Sequence, residues 1–429
     1  MSEYTFEKGS FDENELEEAI ISLFDGYNYC SGDSMHRDIK DVLIYDELKD
    51  YLKYNYPDLD ETEVEKCVSK LDNIPSVPLY EGCMETHRLL VDGFDLVRED
   101  TNKEPMHINY IDFDNLENNT YRIINQYTVS DVKTRRPDLI MFINGIPIVI
   151  FEFKTAIKED KTIYDAYIQI HNRYKRDIPK LMKYTLLSVI SDGANNRLGT
   201  IFTPYKFYSS WNRVDFHDKD KHGLSSLESL IKGALSQERI VKIFRDFVFF
   251  PDVSKDEEVI VCRYPQFFAS LNMLDSIEKN KKPNGNGKGG VYFGATGCGK
   301  TYTMLFLSRL LMQRKKEVFN SPTIVIIVDR EDLDDQATKK FIVAKQFLND
   351  NNIRSIETRE DLKTTLENIE SGGVYITTIQ KFCESTGLLS NRDNIICISD
   401  EAEKVSQMLH MLGLLVHQLM KHLQYLGIL

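Results

Sequence analysis

Two short stretches of this chain combine residue types and spacings that can do chemistry on phosphates. The first is Gly294-Ala-Thr296-Gly297-Cys298-Gly299-Lys300-Thr301, which reads G-x-x-x-x-G-K-T. Its glycines let consecutive backbone N–H groups turn inward onto a polyphosphate, and a helix starting at Lys300 adds its positive dipole end. Lys300 is expected to reach the β- and γ-phosphates, and Thr301 to hold Mg²⁺. The second is Asp138, after Pro137, with Glu152-Phe-Lys154 downstream. Side chains alternate across a strand, so Glu152 and Lys154 share a face. Carboxylates are hard oxygen ligands suited to Mg²⁺. A neighbouring amine can position water and offset charge developing at phosphorus.

The surrounding pattern can position both. Gly290-Val-Tyr-Phe293 is an apolar run leading into the glycine loop, and residues 302–311 follow with apolar side chains on a helical period. Strand, glycine turn and helix are the context a phosphate-binding loop needs. The acids lie on apolar runs 138–143 and 146–154, separated by Asn144-Gly145, the strongest hairpin signal in the chain. A hairpin there returns Asp138 to the side of Glu152 and Lys154. E-x-K alone occurs on many solvated strands, but a charged pair on an apolar strand is costly without a task. The arrangement P-D…E-x-K is the pattern of metal-dependent nucleases. Residues 163–174 read as a helix that carries Gln169 and Tyr174 near the same edge. Its basic continuation, Lys175, Arg176, Lys180 and Lys183, suits either a DNA backbone or an exposed basic helix.

Beyond the glycine loop, strand patterns at 323–328, 373–378 and 394–399 alternate with helices, as in a parallel sheet. The last ends in Asp400-Glu401. Asp400 is expected to hold Mg²⁺ through water and Glu401 to polarise an attacking water. Further strands are expected at 91–97, 107–113, 121–129 and 185–193, and helices at 224–235, 240–250 and 264–279. Residues 279–290 read as a linker or a loop before the phosphate-binding strand. The first 75 residues are acidic and helical in pattern.

At 429 residues the chain is long enough for two or three domains. A hydrophobic share of 42% with 28% charged residues describes a globular chain with real cores. No apolar run approaches ~18 residues, so no membrane span is expected. The seven cysteines form no C-x-x-C pair, which points to reduced thiols in a cytoplasm. A net charge of -14 argues against a surface coated with DNA and leaves room for a local basic groove.

Together the motifs resemble the R subunit of type I restriction enzymes from about residue 30 to 402. Further landmarks are Ile111-Asp-Phe-Asp114, Asn125-Gln-Tyr-Thr-Val129, Ser191-Asp-Gly193, Arg263-Tyr-Pro-Gln266, Asp329-Arg330 and Thr377-Thr378. The resemblance implies nuclease metal ligands at Asp138 and Glu152 with Lys154 as catalytic lysine. It makes Gln169 and Tyr174 a Gln/Tyr element one residue longer than the family's spacing. It implies that Gln266 reads adenine, and that the glycine loop with Thr301 and Asp400 holds ATP and Mg²⁺. The implied fold is α/β: a PD-(D/E)xK nuclease domain at 76–235 after a helical region at 1–75, a helical connector at 236–285, and an incomplete RecA-like P-loop domain at 286–402. The implied activity is ATP-driven translocation on double-stranded DNA ending in cleavage, with methylase (M) and specificity (S) subunits as partners. Two departures stand out. The family's DEAH box reads Asp400-Glu-Ala-Glu403, and residues 403–429 read as an atypical, helix-like Leu/Met-rich tail. Truncation near codon 403 is the simplest account, and it predicts that the motor sheet lacks a strand and exposes an apolar edge. Rival readings are a non-catalytic DNA- or partner-binding remnant and a helicase-nuclease of DNA repair.

Overall fold

A computed structural model describes residues 13–98, 100, 102–154, 162–252, 257–295, 297–328, 331–378, 390–400 and 424–428. The chain divides into two compact units, Met1–Val248 with Asp256–Tyr264, and Phe249–Lys255 with Pro265–Leu429.

The first unit is built on a mixed sheet with six strands among the described residues. They are β1 (Asn28–Ser31), β2 (Tyr121–Asn125), β3 (Leu139–Ile143), β4 (Ile146–Phe153), β5 (Leu187–Ser191) and β6 (Asn196–Thr200), in that spatial order. β3 and β4 are buried along their whole length. Strands that read as unbroken apolar runs belong at the centre of a covered sheet, where they now sit. They pair antiparallel across Asn144-Gly145, whose φ values are +51° and +75°. Both central residues of the turn therefore take the left-handed conformation the Asn-Gly signal predicts. A Cβ at Gly145 would lie 2.4 Å from the Ile44 carbonyl oxygen, so glycine is also required by packing.

Helices α1 (Glu13–Ser22), α2 (Tyr45–Asn55), α3 (Glu61–Asp72) and α4 (Leu79–Asp92) precede the hairpin. α2 buries Leu48, Tyr51 and Leu52, its three- and four-residue stripe. α3 starts in a capping box in which Asp60 and Glu63 exchange side-chain and backbone bonds.

Several expected elements differ. The first 75 residues are not all helical: β1 joins the sheet parallel to β2. The expected strand at 91–97 is shorter, because Val91 and Asp92 finish α4 and Gly93, at φ +66°, stops the helix. Only Phe94–Leu96 then pairs, with Met106–Ile108, so the strand expected at 107–113 also shrinks. The strand at 121–129 breaks at Gln126, which has φ +51°. The helix at 163–174 is α-helical only over α5 (Ile163–Ile168) and becomes a π-turn over Gln169–Tyr174.

The second unit holds an all-parallel sheet, with six strands among the described residues. In chain order they are β7 (Lys288–Tyr292), β8 (Thr323–Val328), β9 (Ile353–Ser355), β10 (Val374–Thr378), β11 (Ile395–Ser399) and β12 (Gln424–Ile428). Their spatial order is β7-β12-β11-β8-β10-β9. The tail is where the sequence reading fails. Residues 424–428 are not helical, and the sheet does not lack this strand: β12 is inserted between β7 and β11. Leu- and Tyr-containing pentapeptides carry little β-branched signal, and their pairing partners lie far off in sequence. The rest of the tail expected to be helix-like over 403–429, residues 403–423 and 429, lies outside the described residues. An apolar edge does exist, on β7, where Val291 is 63% exposed and neighbouring Phe293 81%.

Two predictions follow from this architecture. Deleting residues 424–429 removes an inner strand, leaving β7 and β11 without their shared neighbour. The second unit should lose slow hydrogen exchange while strands β3 and β4 keep theirs; unchanged protection across β7 and β11 would contradict the assigned pairing. The other concerns His171, which stacks on Tyr167 with centroids 3.9 Å apart and bonds the Tyr208 hydroxyl at 3.1 Å. Burial, aided by Lys175, pushes its pKa down to about 3. The unfolded chain takes up that proton near pH ~6.5, so the folded state binds fewer protons as pH falls from there towards 3. Stability should drop through that window by at most about 1.4 kcal/mol per pH unit from this group. In urea unfolding, His171→Gln should lose less stability between about pH 7 and about pH 4 than the parent.

Candidate active sites

At the end of β4, Glu152 is fully buried and Lys154 is 7% exposed. Strand alternation puts both on one face, and Lys154 Nζ lies 2.6 Å from Glu152 Oε1. The same ammonium donates to the Phe153 carbonyl at 2.6 Å. Leu139 pairs with Phe151, so Asp138 is brought opposite Glu152, as the hairpin predicts. Asp138 Oδ2 accepts from the Phe153 amide at 2.7 Å. Burial first, and the Asp138 charge second, push the Glu152 carboxyl up to about 8, against the pull of Lys154 and Tyr174. Two carboxyl groups brought together, Glu152 buried and Asp138 half-buried, are a donor set that a divalent cation relieves. They fit Mg²⁺, which commonly binds through one or two carboxylates and keeps several waters. No group of three or more His, Cys, Asp and Glu converges among the described residues.

The Gln/Tyr element joins this site. Tyr174 donates its hydroxyl to Glu152 Oε2 at 2.8 Å, and Gln169 Nε2 donates to that hydroxyl oxygen at 2.8 Å. In an α-helix a residue five positions on sits about 140° around the axis. The π-turn over Gln169–Tyr174 absorbs the extra residue, so both side chains reach the acid. Burial and the Glu152 charge hold the Tyr174 phenol well above its ordinary value, so it remains a donor.

In the second unit the glycine loop ends at Gly299, the left-handed N-cap of the helix Lys300–Arg309. Gly297 and Gly299 have φ of +78° and +86°, a left-handed backbone that a side chain would strain. Lys300 and Thr301 occupy the first helical turn, whose N–H groups lack intrahelical acceptors. A polyphosphate fits that donor set. Gln266, 5% exposed, points its amide at the loop: Nε2 donates to the carbonyls of Cys298 at 3.2 Å and Gly299 at 3.3 Å. A Cβ at Gly294 would lie 2.9 Å from Cys298 Sγ, so a larger residue there would force that thiol to shift. Asp400 follows β11, with its amide bonded to the Ile327 carbonyl at 2.8 Å. In this parallel sheet the loop after β7 and Asp400 after β11 lie at the same, carboxyl, ends of strands, flanking β12. That is where open α/β sheets form their ligand crevice. Thr296, Glu401, Asp329 and Arg330 lie outside the described residues.

One group escaped the sequence reading. Glu17 on α1, 8% exposed, accepts from Asn125 Nδ2 at 2.6 Å and Gln126 Nε2 at 2.7 Å. The Gln126 backbone N–H in turn donates to the Asp138 backbone carbonyl at 2.9 Å. Within a run of acids on an acidic helix nothing marked Glu17; only the polar Asn-Gln pair closing an apolar strand gave a signal.

Comparison with known proteins fits both halves. Residues 10–207 match the family model for the type I restriction enzyme R protein N terminus, and residues 265–428 match that for the SWI2/SNF2 ATPase. The second match runs on past Glu403, where the sequence reading ended the resemblance. The type I restriction enzyme HindI endonuclease subunit of Haemophilus influenzae is 29% identical over 414 residues, covering 92% of this chain and 39% of that protein. The MjaIXP endonuclease subunit of Methanocaldococcus jannaschii is 29% identical over 416 residues, covering 88% and 38%. The type I restriction enzyme SsaAORF53P endonuclease subunit of Staphylococcus saprophyticus is 24% identical over 337 residues, covering 76% and 33%. The chain thus spans about two fifths of the length of the first two relatives. By these matches the chain is similar to the N-terminal region of type I restriction enzyme R proteins and, after it, to the SWI2/SNF2 ATPase.

Proposed function

We propose that this chain acts as the restriction (R) component of a type I system, cleaving double-stranded DNA with Mg²⁺ and using ATP for translocation. The observation that carries the reading is the Glu152 carboxylate: fully buried, raised to about 8, and gripped by Lys154, Tyr174 and the field of Asp138. A buried ion pair of this kind is weak evidence for stability, because apolar packing does as well or better. Its retention beside a second acid argues for a task.

In this reading the first unit is a PD-(D/E)xK nuclease. Asp138 and Glu152 hold Mg²⁺, which when bound polarises phosphate and lowers the pKa of water. Lys154 orients the attacking water and offsets charge building on the phosphate oxygens. Tyr174 and Gln169 fix the Glu152 carboxylate in one rotamer. The second unit is a RecA-like ATP site. The amides around Gly297 and Gly299, with Lys300, bind the β- and γ-phosphates; Gln266 reads adenine; Thr301 and Asp400 serve Mg²⁺, and Glu401 orients water. The assigned regions are a helical start at 1–75, the nuclease at 76–235, a connector at 236–285, the motor domain at 286–402 and a tail at 403–429. Methylase and specificity subunits are the partners, and the setting is the cytoplasm. No helix among the described residues is long and apolar enough to cross a membrane.

The test is made on the chain combined with M and S subunits, following Mg²⁺-dependent cleavage and ATP hydrolysis separately. Asp138→Ala and Lys154→Ala should each lower cleavage by roughly 10²-fold or more, the scale of one lost electrostatic stabiliser, with ATP hydrolysis unchanged. Lys300→Ala should do the reverse to ATP turnover, abolishing it while leaving metal binding at the first unit intact. Wild-type cleavage by Lys154→Ala would refute the nuclease assignment.

A further inference from the structure

Beside the acid pair lies an open cavity of about 350 Å³, with Gln169 and Tyr174 on one wall and Thr134, Arg135, Arg136 and Arg173 around it. We infer that this cavity is a subsite for a backbone phosphate of the DNA strand being cut, engaged by the Arg173 guanidinium. The inference rests on the nuclease reading of Asp138, Glu152 and Lys154 and adds to it a substrate contact outside the metal site.

Three observations converge. First, the cavity is continuous with the site: Gln169 and Tyr174 line it, and Tyr174 bonds Glu152 at 2.8 Å. A phosphate there would sit one side chain from the acids, as neighbours along one strand do. Second, its charge runs against the chain's. In a chain of net charge -14, a cavity lined by three arginines and by no acid is suited to a phosphodiester. Third, the arginines differ in what already binds them. Arg135 is held by Asp177, with Nε 2.8 Å from Oδ2. Arg176 first, and Arg135 with it, hold that carboxyl well below the usual carboxylate range, so the anchor stays charged. Arg136 meets Asp33 at 2.6 Å in a pair exposed on both sides, and such pairs are weak enough to be exchanged for a phosphate. Arg173 has no hydrogen-bond or ion-pair partner among the described residues and is exposed at the rim. A guanidinium offers a planar fork matched to two phosphate oxygens. The π-turn that brings Tyr174 to Glu152 also fixes where the preceding residue, Arg173, points.

The probe is a short fluorescein-labelled DNA duplex, bound by the full chain in EDTA so that nothing is cut, with anisotropy followed as salt is raised. Arg173→Ala should weaken binding about tenfold and lower the slope of log K against log salt by about 1, equally for two unrelated sequences. Arg173→Lys should restore the slope, because it keeps the charge, and recover part of the affinity. Thermal melting of each variant reports folding; Arg173 is exposed, so the transition should not move. Unchanged affinity and slope in Arg173→Ala overturn the inference, as does a loss confined to one sequence. If Arg173→Ala loses binding of inorganic phosphate but not of duplex, the cavity is an anion site and the DNA assignment fails. The nuclease reading is scored apart, by Mg²⁺-dependent cleavage with Lys154→Ala, so either can fail without the other.

Discussion

The Glu152–Lys154 pair ties together the polar end of the first unit's central hairpin. A carboxylate with no solvent exposure, next to a second carboxylate, is tolerated only if every oxygen is engaged. Lys154 takes one oxygen of Glu152 and Tyr174 the other. Each requirement then propagates. Lys154 must leave the strand on the same face as Glu152, so β4 has to remain extended to Phe153. Asp138 must return opposite, so the hairpin must turn within Asn144-Gly145, where only a residue tolerant of left-handed φ and lacking a Cβ fits against Ile44. Tyr174 must reach the second oxygen, so the helix following the hairpin underwinds into a π-turn over Gln169–Tyr174. The apolar β3–β4 core supplies the rigidity, and the polar end uses it.

The second unit obeys a different constraint, closure over long sequence distance. β7 opens the sheet and β12 pairs beside it, yet 131 residues (423 − 292) separate the end of one from the start of the other. A strand with two parallel neighbours has its ladder satisfied on both sides, and no local signal is needed to hold it. The consequence for chemistry is spacing. Asp400 and the glycine loop follow β11 and β7 at the same end of the sheet, with β12 between those two strands.

This contrast explains what was legible in the sequence. Asp138, Glu152 and Lys154 could be placed together because the hairpin signal and the period-2 pattern are local and strong. The glycine loop and the strands ending at Val328, Thr378 and Ser399 were legible for the same reason. β12 was not, since Gln-Tyr-Leu-Gly-Ile within a Leu/Met-rich stretch satisfies helical spacing equally well, and only pairing with β7 and β11 decides for a strand. β1 was hidden by the acidic helices around it. Gly93 misled in the opposite sense: Val91-Asp-Gly-Phe-Asp-Leu alternates like a strand, but the first two residues complete a helix whose buried stripe includes Leu89 and Leu90.

The Gln169–Tyr174 spacing carries the point further. Counted as letters, one residue too many separates the two, and on an α-helix the error would swing Tyr174 about 100° away from Glu152. The chain absorbs the insertion as a π-turn, at the expense of poorer local hydrogen bonding. That expense is tolerated because the alternative is worse: Glu152 Oε2 would lie buried without a donor, a loss of about 1–3 kcal/mol. Motif spacing on a helix is thus a statement about angle, not about residue count. A one-residue discrepancy counts against a site only where the backbone has no way to take up the turn, and here a buried carboxylate supplies the reason to take it up.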